Sequence, residues 1–456
     1  MTPSMSQPDT ATLSRVHFIT GEVRMRIRTV LTAAVAALTT TIAGLAVAPA
    51  HAANRVTPGS FTGFAFDACQ APTQGQMDRW RTTSPFWAVG VYIGGAERLC
   101  AQPNLDKRWV TRQSTRGWKI LPIWVGPQTS CSGYGARIDA APASSYSKAR
   151  AQGRSSAYSA TRTARALGIP KGSTIWYDLE DFVLAETHCR RSALSFLSAW
   201  TKRLHGLGYR SGVYANVAGA VHALDNADKL SSGSYLMPDQ IWYAWDNGRA
   251  NTYIAKKWVR ARSWAPHRRI HQYRLDTTAT YGNVRLHVDR NFMDVGRGSV
   301  APRAPRSCGV RVSFPDYPAR ARGSRGALVK AAQCLLKQKR VYRGRVDGRY
   351  DRATYRAVRA FQNRADLRVT GRVSKSTWTA LLPSGSSPVL KRGSASNAVR
   401  RVQRALNAAL KQRVAVTGVF GSRTTSAVLR YQRNRGLPRT GVVASGTWRD
   451  LENGRV

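Results

Sequence analysis

The segment GSTIWYDLEDF (172–182) places three carboxylates, Asp178, Glu180 and Asp181, at the end of an apolar run in a chain of net charge +47. The apolar run is typical of a buried strand. Successive side chains of a strand point to opposite faces, so Asp178 and Glu180 share one face, with Cα atoms roughly 6.5 to 7 Å apart. Carboxyl groups at that spacing can flank one glycosidic bond. The segment therefore predicts a strand that ends in an acidic site.

Seven further β-like runs lie between residues 60 and 297, and helix-like stretches separate several of them. One such stretch has an apolar face formed by Leu194, Leu197, Trp200 and Leu204. Alternating strands and helices predict an α/β protein with a parallel sheet, and about eight strands in this length predict a closed (β/α)8-like TIM barrel. A doubly wound open sheet is the alternative, but no glycine-rich nucleotide-binding motif follows a strand.

Three other aspartates, Asp67, Asp246 and Asp289, also follow apolar runs. Because the C-terminal ends of parallel barrel strands meet at one mouth, these acids are expected to converge with Asp178 and Glu180. Crowding raises the pKa of at least one carboxyl group, which leaves a protonated acid beside an ionised partner, as glycoside hydrolysis requires. A helix cap or a loop position is the simpler interpretation of Asp246 or Asp181 when either is taken alone. A calcium site would need an Asp/Asn-rich loop, which is missing, so we expect no metal and no cofactor.

The region 60–297 resembles an exported glycoside-hydrolase-like domain of unknown function, itself similar to muramidases of the (β/α)-barrel lysozyme type. The segments that carry the resemblance are GFAFDACQAPT (63–73), VGVYIGG (89–95), LPIWVG (121–126), IWYDLED (175–181), GYRSGVYAN (208–216), IWYAWDN (241–247) and HVDRNFMD (287–294). The resemblance implies that Glu180 is the general acid. It implies that Asp178 stabilises positive charge or orients a substrate acetamido group, while Asp67 and Asp289 tune the pair. The residues that it implies for substrate binding are Tyr92, Trp124, Tyr214, Asn216, Trp245, Asp246 and Gln272.

The segment GRGSVAPRAPRS (296–307) is rich in Pro, Gly and Arg, and it separates the barrel from a differently built half. That half repeats itself at a spacing of 70 residues, which indicates two copies of one small module. Each copy has apolar residues at helical spacing behind an expected helix cap, Asp351 in the first copy and Ser422 in the second. A module of this size has a thin core, so its aromatic residues, Trp378 and Trp448 included, are first of all packing residues.

Both copies carry a glycine-containing turn, a helix of the AVxxFQ type and a T-W-x-x-L ending. These features resemble the peptidoglycan-binding domain of the three-helix type. The resemblance implies anchoring to the cell wall through glycan or stem peptide, without catalysis. No histidine follows His287, which excludes a zinc peptidase in this half.

Arg24, Arg26 and Arg28 precede a mostly apolar run and a small-x-small site that ends at Ala52, which predicts a signal peptide. A membrane anchor is the alternative, but threonines interrupt the run, so we expect no stable membrane insertion. All six cysteines follow the site, and an even number in an exported chain suggests disulfides. Six cysteines allow 15 pairings. From the domain boundaries we expect Cys69 with Cys100, Cys131 with Cys189 and Cys308 with Cys334.

Residues 301–456 carry 34 lysines and arginines against 6 acidic residues, a net charge of +28. Such a surface attracts polyanions, and for an exported protein we expect anionic cell-wall polymers rather than nucleic acid. Arginine enrichment from codon usage, with a role in solubility only, is the alternative. The expected organisation is a signal peptide over 1–52, the barrel over 60–297, a linker over 298–307 and two modules over 308–382 and 386–452.

Together these patterns predict a secreted, wall-associated glycoside hydrolase that acts on peptidoglycan glycan strands and is tethered by two binding modules. A non-catalytic wall-binding protein with a glycan-holding cleft is the alternative. An amidase or peptidase has little support, because the chain contains no H-E-x-x-H motif and no G-x-S-x-G elbow.

Overall fold

The computed structural model describes residues 53–180, 183–230, 233–305, 307–410 and 413–456. The expected signal peptide and Asp181 lie outside this part of the chain. Eight strands form a closed barrel in sequence order, which confirms the predicted fold class. The strands are β1 (Phe61–Asp67), β2 (Phe86–Gly94), β3 (Lys119–Trp124), β4 (Thr174–Leu179), β5 (Arg210–Asn216), β6 (Gln240–Ala244), β7 (Arg268–Tyr281) and β8 (Val284–Val295).

The first five strands are each followed by a helix that covers the outside of the barrel. These helices are α1 (Gln74–Thr83), α2 (Lys107–Thr115), α3 (Ser147–Ala166), α4 (Thr187–Gly206) and α5 (His222–Leu230). A 3-10 turn (Ala143–Ser145) precedes α3, and a π-helical turn (Val217–Val221) precedes α5. The apolar face predicted for α4 is confirmed, because Leu194, Leu197, Trp200 and Leu204 are all buried.

The last strand departs from the (β/α)8 pattern. β1 to β7 run parallel, whereas β8 is antiparallel to both of its neighbours, β7 and β1. The reversal occurs at Gly282 and Asn283, which both have positive φ, as a two-residue hairpin turn requires. Tyr281 packs edge to face against Trp80 of α1, so the hairpin covers part of the outer wall where an eighth helix would lie.

The barrel interior is filled by large side chains from alternating strand positions. Trp176 and Trp242 meet edge to face, with their ring centroids 6.1 Å apart. Gly212 makes room for one of them, because a Cβ at this position would lie 2.4 Å from the indole of Trp176. The barrel is thus closed by packed side chains below its mouth.

The tail folds as two three-helix modules with one joint core. The first module contains α6 (Ala327–Gln338), α7 (Arg352–Arg364) and α8 (Lys375–Leu381), and the second contains α9 (Asn397–Ala409), α10 (Ser422–Asn434) and α11 (Ser445–Glu452). Trp378 and Trp448 are buried, and their Nε1 atoms donate to equivalent proline carbonyls at 3.0 and 2.7 Å, which confirms them as packing residues.

One of the two predicted caps is correct. The side chain of Asp351 accepts a hydrogen bond from the Thr354 backbone at 2.7 Å and caps α7. The prediction for Ser422 is wrong, because Gly421 occupies the cap position of α10 and Ser422 is the first helical residue. Gly421 stands in register with Asp351 but has no side chain to accept the bond.

The three disulfides are those expected, and two of them join loops at the C-terminal ends of strands. Cys69–Cys100 links the loops after β1 and β2, and Cys131–Cys189 links the loop after β3 to the start of α4. The third, Cys308–Cys334, ties the segment before the first module to α6. Cross-links of this kind restrict the loops that frame the mouth.

The second module contacts the barrel at the N-terminal ends of its strands, opposite the mouth. Trp87 Nε1 donates to Ser394 Oγ at 3.1 Å, and Ser299 Oγ donates to the Gly393 carbonyl at 2.7 Å. Lys391 is 1% exposed there, so its ammonium group is enclosed between the two parts of the chain. Among the described residues, no helix has the length and apolar character needed to span a bilayer.

Candidate active site

The end of β4 brings Asp178 and Glu180 to the mouth of the barrel. Asp178 is 1% exposed, whereas Glu180 is exposed. The amide of Gln128, from the loop after β3, holds the backbone between them. Its Nε2 donates to the Asp178 carbonyl at 2.9 Å, and its Oε1 accepts from the Glu180 backbone N–H at 2.8 Å. This clamp fixes one buried and one accessible carboxyl group side by side.

A second pair of carboxylates lies where β1 meets β8. Asp67 and Asp289 are directly opposite each other in the antiparallel register. Two amides separate their charges: Gln272 Nε2 donates to Asp289 Oδ2 at 3.1 Å and to Asp67 Oδ2 at 3.3 Å, and Asn291 Nδ2 donates to Asp67 Oδ1 at 2.5 Å. Gly90 leaves the space this pair needs, since a Cβ there would lie 2.6 Å from the Cβ of Asp67.

Burial raises the pKa of three of these carboxyl groups. For Asp178 the burial effect is largest, and the charge of Glu180 together with a hydrogen bond between the two carboxyl groups raises the pKa further. For Asp67 burial and the charge of Asp289 raise the pKa, while the Asn291 and Gln272 amides oppose them. The pKa of Asp289 is raised mainly by burial. Carboxyl groups arranged in this way retain protons at a pH where exposed carboxylates are ionised.

The raised pKa of Asp178 predicts a pH-dependent stability. At a pH above about 4, an unfolded aspartate has lost its proton, because its pKa is about 3.9. Asp178 in the folded state keeps its proton up to its higher pKa. The wild type is therefore expected to lose stability as the pH rises from about 4 through the folded pKa. Asp178→Asn removes this loss, so urea denaturation at pH 5 and pH 8 should show a smaller decrease in the free energy of unfolding for the variant. Equal decreases in both proteins would contradict the prediction.

Two tyrosines complete the inner surface of the mouth. Tyr214 donates from its hydroxyl to Gln272 Oε1 at 2.8 Å. Burial raises the pKa of Tyr92 and of Tyr214, and the nearby carboxylates, Asp178 and Glu180 among them, raise both further. Both hydroxyl groups therefore stay protonated. Tyr92 can donate a hydrogen bond to a polar ligand, whereas Tyr214, whose proton lies on the bond to Gln272, can accept one.

Four of the residues expected to bind substrate lie outside this cluster. Trp124 and Trp245 pack against the core between the strands and the helices, so they do not line the barrel interior. Asn216 is exposed, and its side chain accepts from the Ala218 backbone at 2.8 Å. Asp246 lies at the rim, where it accepts from the Leu275 backbone at 3.2 Å. Asp246 thus holds loop backbone, in agreement with its simpler interpretation, and Asn216 does the same.

Two buried amides belong to the site although no sequence pattern indicated them. Gln128 orients the Asp178–Glu180 segment, as described above. Asn291 bridges Asp67 to the indole of Trp242, whose Nε1 donates to Asn291 Oδ1 at 2.7 Å. Only its position two residues after Asp289, on the same face of β8, could have pointed to Asn291.

The described residues contain one group with the spacing of metal ligands, Cys131, Glu186 and Cys189. Its two sulfur atoms are bonded to each other in a disulfide, so they cannot serve as thiolate ligands. The carboxyl groups of the mouth can instead hold protons, and the amides of Gln272 and Asn291 donate hydrogen bonds to them.

The sequence matches two known families. Residues 78–293 match the Rv2525c-like, glycoside hydrolase-like domain, a range that contains Asp178, Glu180 and Asp289 and begins after Asp67. Residues 325–381 and 395–451 each match a peptidoglycan binding domain. None of the curated proteins matches the chain.

Three solved structures resemble parts of the chain. An uncharacterized protein of B. stearothermophilus is 22% identical, with 51% of this chain and 95% of that chain covered and a TM-score of 0.35. The SleB N-terminal domain is 35% identical, with 15% and 93% covered and a TM-score of 0.15. A glucosidase from Croceicoccus marinus is 12% identical, with 43% and 47% covered and a TM-score of 0.24.

Proposed function

We propose that this chain cleaves the glycan strands of peptidoglycan, because residues 78–293 match the Rv2525c-like, glycoside hydrolase-like domain and two peptidoglycan-binding domains follow them. The observation that carries the proposal is the buried Asp178 carboxyl group beside the exposed Glu180 carboxyl group at the mouth of the barrel. The peptidoglycan-binding domains indicate the class of substrate, and the pair of carboxyl groups indicates acid catalysis.

In the proposed reaction the Asp178–Glu180 pair holds one proton between its two carboxyl groups. Glu180, which is accessible, transfers this proton to the glycosidic oxygen as the bond to the sugar carbon breaks. Positive charge develops on the sugar ring, and the carboxylate left on the pair stabilises it. Water then adds to the sugar carbon and returns a proton to the carboxylate pair, which leaves a new reducing end. The Asp67–Asp289 pair adds negative potential through its ionised member. Tyr92 donates a hydrogen bond to the sugar, and Tyr214 accepts one.

The two modules raise the local concentration of wall substrate around the barrel. Linked weak sites give an avidity well above that of either site alone. The net charge of +28 on the tail adds attraction to anionic wall polymers. Export of the chain, which the disulfides and the wall-binding domains favour, brings the barrel to this substrate.

Digestion of purified peptidoglycan by the full chain tests the proposal. We expect new reducing ends and soluble fragments, which mass spectrometry identifies by the sugar at their new ends. The double variant Asp178→Asn/Glu180→Gln should adsorb to walls as the wild type does but release no fragments. Saturable binding of the wild type without new reducing ends would reject cleavage and favour a glycan-holding protein without catalysis. Equal digestion by the double variant would reject the assigned residues.

A further inference from the structure

A cleft of about 560 Å³ opens between the two modules of the tail. One wall is the segment 307–313, which the disulfide Cys308–Cys334 ties to α6. The other wall is α9 of the second module. Within the described chain, the lining contains no acidic residue and four arginines: Arg311, Arg400, Arg401 and Arg404. We call this region the arginine cleft.

Arg404 carries a positive charge that the described part of the chain leaves unneutralised. Burial lowers the pKa of its guanidinium group, and the charges of Arg401 and Arg400 lower it further, with Tyr317 opposing them. Its Nε is buried, and no described atom accepts a hydrogen bond from it. No described carboxylate pairs with any of the four arginines. Arg404 is half-buried, and a buried N–H group without an acceptor is costly unless water or a ligand supplies one.

The module fold itself does not require arginine at this position. The counterparts of Arg404 and Arg401 in the first module are Cys334 and Ala331, which are both fully buried. Cys334 forms the disulfide with Cys308, and Ala331 packs in the core. Arg401 has a structural role, because its Nη1 donates to the Pro383 carbonyl at 2.8 Å and its guanidinium lies 5.3 Å from the Trp448 ring. Arg404 makes no hydrogen bond, ion pair or ring contact with the described residues, so none of these interactions explains an arginine at this position.

We propose that the arginine cleft binds a phosphate group of an anionic cell-wall polymer. Guanidinium groups match phosphate oxygens in bidentate geometry, and Arg311 and Arg404 approach the cleft from its two walls. The positive charge continues over the whole tail, so a polymer with repeated negative charges gains more than an isolated carboxylate of a stem peptide does. This binding lies apart from the barrel mouth and does not depend on glycan cleavage.

Calorimetric titration of the full chain with a glycerol phosphate oligomer, at 0.15 M salt to screen general attraction, tests the site. Arg404→Gln is expected to raise Kd at least about tenfold, as the loss of a charge-assisted hydrogen bond does. Arg311→Gln changes the opposite wall and should also raise Kd. Arg439→Gln is the control, because this arginine is exposed in the same module and outside the cleft, and it should change Kd less than about twofold.

Equal losses in Arg404→Gln and Arg439→Gln would overturn the proposal in favour of unspecific polyanion attraction. Tighter binding of a disaccharide-peptide fragment than of the phosphate oligomer, lost in Arg404→Gln, would overturn the phosphate assignment. If thermal unfolding shows that Arg404→Gln does not fold, the Kd of Arg311→Gln tests the site in its place. An unchanged Kd for that variant would then overturn the proposal. Reducing-end release from walls stripped of phosphate polymer is measured separately, so failure of this proposal and failure of glycan cleavage are distinguishable.

Discussion

Replacing Glu180 by glutamine is expected to lower kcat for glycan cleavage by about 10²- to 10⁴-fold, the usual contribution of a general acid. The amide keeps the size of the side chain but has no proton to give to the glycosidic oxygen. Asp178 cannot replace it, because Asp178 is buried and reaches the mouth through its hydrogen bond to the Glu180 carboxyl group. Adsorption of the variant to purified walls should equal that of the wild type.

The measurement is release of reducing ends from soluble glycan fragments at saturating substrate, which separates kcat from wall binding. Glu186→Gln is the matched control, since Glu186 is an exposed glutamate in the same loop region and its side chain does not cap α4. We expect the control to keep wild-type kcat. An unchanged kcat in Glu180→Gln would remove Glu180 from the mechanism.

The period of two along β4 predicted the shared face of Asp178 and Glu180, because a strand's geometry is local to its sequence. The same period places the two tryptophans that we expected to bind substrate on the outer face of the barrel, away from the carboxyl groups. Trp124 follows Ile123, which points into the barrel, so Trp124 belongs to the outer face. The expectation for Trp124 and Trp245 relied on resemblance alone, where strand parity would have placed them outside.

The convergence of Asp289 with Asp67 has a different cause from the one predicted. Asp289 lies in a reversed strand, so it reaches the mouth by antiparallel pairing rather than by following a parallel strand. The sequence contained a signal for this reversal, since Gly-Asn between two β-like runs is typical of a two-residue hairpin turn. Gln128 and Asn291 lacked such a signal, because neutral amides become functional only through partners that are distant in sequence.

The contact between the second module and the barrel was also not predicted from the sequence. A substitution in this contact has the largest effect on stability that we expect. Lys391 donates to the carbonyls of Arg81 and Ser84 at 2.8 and 2.9 Å, and its Nζ lies 4.4 Å from the Trp87 ring. The corresponding residue of the first module is Ala321, so the repeat pattern gives no reason to expect a buried ammonium group here.

Lys391→Ala, which restores the residue of the first module, should lower the free energy of unfolding by about 3 kcal/mol. The variant leaves the two carbonyls without a donor and a cavity where the lysine stem was. Lys391→Met fills the cavity and should lose less. Urea denaturation and hydrogen exchange near Trp87 check both variants, and Lys375→Ala, at an exposed helix position, is the control. A change below about 0.5 kcal/mol in Lys391→Ala would contradict the structural role.

The pH dependence of the free energy of unfolding distinguishes the contribution of the Lys391 amino group from that of its aliphatic stem. Burial, and then the charge of Arg81, lower the pKa of Lys391 well below its usual range. The unfolded chain therefore binds more protons at this site than the folded chain, and the contribution of Lys391 to stability rises with pH until the unfolded lysine titrates near 10.4. The stability difference between the wild type and Lys391→Met should consequently grow from pH 6 to pH 9. A constant difference would mean that the stem, and not the titrating group, determines how firmly the module is attached to the barrel.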